Sequence, residues 1–179
     1  MDIDYTLNRL DELRKLDSFF RDCEKPDRNP NSVAGHFGCG GVFFGNAIQH
    51  CSFDVPLSAM KEIYQFNKDR IEQGLQRRDR LMKWVKAWNE SLGRGYIPRY
   101  SSELIQALSY IDCDNLTITK LGYDTVFDFT VGPVCKVNIT IKCMSPYGAE
   151  FNYTINGKEK EKTYQPMTIV NEIRKEACL

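Results

Sequence analysis

The chain has 179 residues, 42% of them hydrophobic and 27% charged, with 24 Lys+Arg set against 24 Asp+Glu. A chain of that length buries about 70% of the surface its unfolded form exposes, which excludes a coreless polymer. The cancelled charge excludes a chain-wide field that would steer the protein to nucleic acid or an anionic membrane, and no run of about 18 apolar residues marks a membrane span.

The first residues, MDIDYTLNRL, have neither the basic start nor the apolar middle of an export signal. With an odd number of cysteines, 7, this predicts a reducing, cytoplasmic setting and free thiols. From Tyr5 to Cys23, Leu7, Leu10, Leu13, Leu16 and Phe20 recur at steps of three and four with charges between them, which predicts a helix. The prolines and asparagines of EKPDRNPNS then stop it.

The stretch Gly35 to Cys51, GHFGCGGVFFGNAIQHC, holds five of the 12 glycines, both histidines and two of the 7 cysteines. Zinc takes such side chains when they converge as a tetrahedron. His36 and Cys39 have good spacing for that, whereas His50 and Cys51 are adjacent and seldom aim at one ion; Cys23 or Cys113 would be the substitute ligands. A nucleophilic Cys39 needs a base. If one helix ran on from Cys39, His50 would lie about 16 Å along its axis, out of reach. No Gly-Lys-Ser/Thr follows the glycines, so a phosphate loop is weaker still. The expected role is a tight backbone crossing, with zinc at His36, Cys39, His50 and Cys51 kept as the alternative. Val42 to Cys51 reads equally as a strand or a short helix.

A second, long helix is predicted from Val55 to Leu92, with Pro56 in its first turn, Gly93 at its end, and Gly74 as a break or a close-packing point. On a helical wheel Met60, Tyr64, Ile71, Leu75, Met82 and Val85 share one face, and Arg78 falls among them. The segment RRDRLMKWVKAWNESLGRGYIPRY interleaves Arg77, Arg78, Arg80, Lys83, Lys86, Arg94 and Arg99 with Trp84, Trp88, Tyr96 and Tyr100. That pattern suits phosphate contacts combined with base stacking. The cations nonetheless spread over about half the wheel, as on a solvated helix. Trp88 is expected in the core and Trp84 at the surface, where tryptophan anchors partners. Ser101 is expected to cap a short third helix through Tyr110.

Beyond Tyr110 the period changes to two. In CKVNITIKC the residues Cys135, Val137, Ile139, Ile141 and Cys143 face one way, and Lys136, Asn138, Thr140 and Lys142 the other. TVFDFTV before it, AEFNYTIN after it and NLTITKL at the start alternate likewise. Gly132-Pro133, SPYG and Asn156-Gly157 supply turns, the last being a strong hairpin signal. KEKEKTY is expected as a charged edge strand, and Pro166 as the start of a closing helix.

These elements predict an α+β fold: N-terminal helices including one long one, then an antiparallel meander of about five strands closed by a C-terminal helix. One domain, 1–179, is expected, with its helical part at 1–111 and the sheet plus terminal helix at 112–179. No carboxylate pair or serine elbow suggests catalysis. The expected function is non-catalytic binding or regulation through protein–protein contact or self-association into a homodimer along the 55–92 helix. The side chains expected to carry it are Trp84, Trp88, Arg77, Arg80, Lys83, Tyr96 and Arg99. An inhibitor carried by a phage or mobile element is the expected context, with no motif behind it. The alternatives are a nucleic-acid module using residues 77–100, and a zinc or thiol site in residues 36–51. Apart from zinc, no cofactor is expected.

Overall fold

The computed structural model describes residues 3–23, 37–39, 51–53, 57–93, 95–145 and 148–179. His36, His50, Arg94, Pro56, the Val42–His50 run and the SPYG turn residues Pro146 and Tyr147 lie outside them.

The described chain forms two compact units, one of Thr6–Arg78 and one of Met1–Tyr5 with Asp79–Leu179. The division falls between Arg78 and Asp79, inside a helix, and not where the helical period gives way to the strand period.

The Thr6–Arg78 unit takes most of α1 (Ile3–Cys23), the short strands β1 (Phe37–Cys39) and β2 (Cys51–Phe53), and the first part of α2 (Leu57–Leu92). β1 and β2 pair antiparallel, with Cys39 opposite Cys51. Within this unit Leu13 and Ile71 are buried. Gly74 does not break the helix. A methyl group there would collide with the Leu13 side chain of α1, so glycine marks a close approach of two helices. Arg78, which the wheel places among apolar residues, is largely buried and pairs through its guanidinium with Asp11.

The other unit holds the rest of α2, then α3 (Arg99–Leu108), β3 (Asp114–Leu121), β4 (Asp124–Val131), β5 (Cys135–Ser145), β6 (Gly148–Ile155), β7 (Lys158–Glu159) and α4 (Pro166–Glu176). This is the expected α+β order, with a five-stranded antiparallel meander β3-β4-β5-β6-β7. Alternation sets its two faces. Phe127, Ile139 and Tyr153 lie side by side across β4, β5 and β6, as do Phe129, Val137 and Ile155, and all six are buried. The helices cover that face. Trp84 meets Phe129 edge-on at 5.2 Å and Phe127 at 5.9 Å between ring centroids. α4 contacts β5 and β6, packs beside α3, and buries Ile169, Val170 and Ile173.

Three expectations are corrected. α3 starts at Arg99, because the Pro98 carbonyl already takes the Ser102 N–H at 2.9 Å; Ser101 is a buried residue inside the helix and not its cap. Met82 is exposed, and the buried stripe of this part of α2 is Leu81, Trp84, Ala87 and Trp88. A single stripe extrapolated from Met60 to Val85 does not survive the passage from one unit to the other. Finally, KEKEKTY is not one strand. β7 ends at Glu159. Lys160 N–H still donates to the Tyr153 carbonyl, and Phe151 and Thr163 exchange two bonds of 2.9 and 3.1 Å. Two residues of the outer segment, Glu161 and Lys162, therefore stand against one on β6, Asn152, which is a β-bulge.

Asn156-Gly157 behaves as read. Its φ angles are 53° and 76°, and the Asn156 side chain also accepts the Lys136 N–H at 2.9 Å. A two-residue turn with both φ positive matches the twist of the strands it joins.

Candidate functional site

The cysteine-histidine stretch contributes little that is described. Its histidines lie outside the described residues, and Cys39 and Cys51 are placed only by backbone register. Among the described residues no group of three or more His, Cys, Asp or Glu is placed to hold a metal ion. Cys113, one substitute ligand, is buried beside Asp112, and burial first and that carboxylate second push its thiol up to about 12. A thiol held protonated is a poor metal ligand and a poor nucleophile.

The basic-aromatic segment is divided by its environment. Trp84 is 1% exposed, so the expectation of a surface tryptophan is overturned; the ring fills the core against Phe127 and Phe129. Trp88 is also buried, as expected, beside Phe127 at 6.4 Å. Arg77 belongs to the Thr6–Arg78 unit. Arg80 is half-buried. Lys83 donates to the Cys113 carbonyl at 2.7 Å and to Asp114 at 2.8 Å, with Asp112 at 3.8 Å. The Asp114 hydrogen bond raises its pKa most. Arg99 bonds Glu103 at 2.9 Å and Lys86 faces Glu90 at 3.8 Å. Lys83 is thus tied to the Cys113–Asp114 segment, whereas the Lys86 and Arg99 pairs are exposed i,i+4 pairs worth little. Tyr96 stands out in solvent.

Two other features of the Asp79–Leu179 unit are better built. The first is the edge of the sheet at β3. No described residue pairs with its outer side. Leu121 and Asp124 close a two-residue turn, so by alternation Thr119 and Thr117 bond inward to β4. Ile118 and Lys120 then turn their N–H and C=O groups outward. From Asn115 to Thr119 the strand carries no charge. Leu121 is 65% and Tyr123 93% exposed at its tip. The far edge is shorter and more charged: β7 is two residues long and is followed by a bulge, whereas β3 has its register shift at Asp114–Thr117 and one charge, Lys120, on the stretch that follows.

The second is the sheet face turned away from the helices. Asp128, Asn138 and Thr154 form one cross-strand row, and Val126, Thr140 and Asn152 the next. Asn138 donates to Asp128 at 2.6 Å. Lys142 stands opposite Glu150. Glu150 is 6% exposed, accepts from Lys162 at 2.9 Å, and takes the Tyr164 hydroxyl at 3.3 Å. The Lys162 bond holds its carboxyl below the usual carboxylate range. Lys162, which makes this bond, is one of the two bulged residues. The strand pattern predicts this face as wet. Its recognition as a surface rests on a signal the alternation also carried: on β5 and β6 the two inner rows are Asn and Thr, flanked on β4 by Asp128 and Val126.

Comparison with protein-family models, with curated proteins and with solved structures returned no match for this chain.

Proposed function

We propose that the chain is a non-catalytic binding protein that takes a protein partner by adding one of the partner's strands to the outer side of β3. The observation that carries this reading is the asymmetry of the sheet: one edge strand is two residues long with both residues charged, while the other is eight residues long with exposed Leu121 and Tyr123 at its tip and its register shift confined to Asp114–Thr117. Strand addition draws affinity from main-chain hydrogen bonds and selectivity from alternate side chains. Here Leu121 and Tyr123 would supply the latter.

The test is a selection of displayed peptides on the immobilised full chain, followed by amide exchange. Peptides that bind should slow exchange at Ile118 and Lys120. Lys120→Pro removes an outward donor without taking a bond from β4, and it should abolish binding. Peptides that bind Lys120→Pro as tightly as the parent chain would defeat the reading.

A further inference from the structure

We infer that the polar face of the β4–β6 region is a second binding site, for a neutral polyhydroxyl ligand such as a short oligosaccharide. It goes beyond the strand-addition reading and stands on different residues.

A basin of about 490 Å³ lies on this face, within the about 300–1,000 Å³ of small-ligand sites. Such sites are as a rule walled by apolar side chains with a few polar groups among them. This one reverses the proportion. Its floor is Asn138, Thr140, Asn152 and Thr154, at cross-strand positions on β5 and β6. All four are half-buried. Neighbouring strands are about 4.8 Å apart, so amides and hydroxyls repeat across the floor at a spacing that one small ring can bridge.

The remaining wall residues decide the charge. Lys142 and Lys160 are matched by Glu150 and Glu159. Lys160 is moreover bonded to Glu176 at 2.6 Å, and Glu150 to Lys162. An anion finds no surplus of cations, and a metal ion finds no group of three ligating side chains among the described residues. An apolar ligand would strip water from amides and hydroxyls without replacing their hydrogen bonds, a cost of about 1–3 kcal/mol for each group left unpaired. What fits is a ligand whose groups both donate and accept, as sugar hydroxyls do and as Asn and Thr do in return. Tyr164, exposed and outside the lining, reaches the basin only through its hydroxyl at Glu150.

Nuclear magnetic resonance of the full chain tests this, with maltotriose, cellotriose and N,N′-diacetylchitobiose as probes at about 10 mM, a concentration that reveals millimolar affinities. A sulfated disaccharide and glycerol serve as controls. At least one neutral oligosaccharide should shift the amides of β5 and β6 and leave those of β3 in place. Asn152→Ala should weaken that binding by up to about tenfold, the value of one hydrogen bond. If Asn152→Ala does not fold, Thr140→Val, which keeps the side-chain shape, should give the loss instead. The inference is overturned if no neutral probe shifts these amides, if only the sulfated sugar does, if glycerol does so as well as the oligosaccharides, or if a folded variant binds like the parent.

Discussion

Glu150 shows how one side chain ties stability to acidity. It is almost fully covered yet charged, because Lys162 and Tyr164 both donate to it. Its folded-state pKa is lowered, so it contributes stability above its unfolded value of about 4.3, and that contribution is lost as pH falls through the folded value. Thermal melts taken downward from pH 5 should therefore lose stability in this range, and Lys162→Met should flatten that part of the profile. An unchanged profile in Lys162→Met would mean the pair does not govern it. Residues of this kind were hard to read in advance. Trp84 looked like an anchor because residue type alone does not say which way a flank position turns, and the packing of Phe127 and Phe129 decides it. Lys83 looked free for phosphate, and its partners at Cys113 and Asp114 lie 30 and 31 residues away in sequence.

Elements were more legible than residues, for a physical reason. A strand with one buried face writes its period directly into the sequence, and β4, β5 and β6 were readable from that alone. The Asn156-Gly157 turn was readable because both residues accept positive φ. KEKEKTY was misjudged in extent, since a segment that buries nothing has no period to place its bulge. The start of α3 is hard to read from sequence, because its N-cap is Pro98, with no side-chain cap hydrogen bond to leave a Ser, Thr, Asp or Asn signal. Gly74 was read correctly as ambiguous, and the contact with Leu13 resolves it. Alanine at Gly74 gains about 1 kcal/mol in helix propensity, but the added methyl meets Leu13 and should cost about 1–3 kcal/mol. Gly74→Ala should therefore lower the midpoint of a denaturant melt. In a Leu13→Ala background the same change should turn neutral or stabilising. Destabilisation of equal size in both backgrounds would show that the Leu13 contact is not the cause.

For the whole molecule the strongest sequence-level statement is electrostatic. The formal net charge is zero and the isoelectric point is near pH 6.7. Without net repulsion, association between copies is least opposed there. Turbidity should peak close to that pH and fall toward about pH 5 and about pH 8. A flat response would mean that local patches, and not the mean field, control association. The division into two units falls within a continuous helix at Arg78, so no turn or loop signal marks it in the sequence. No helix among the described residues is long and apolar enough to cross a membrane.

The meander order of the sheet has a consequence for a chain emerging from the ribosome. Each of β4 to β7 pairs with its immediate predecessor, so each new hairpin closes a short loop and sacrifices little chain entropy. No strand waits for a distant mate. β3 is the first of these five strands to emerge, and among the described residues its outer side has no partner strand, so each later strand adds on the β4 side alone.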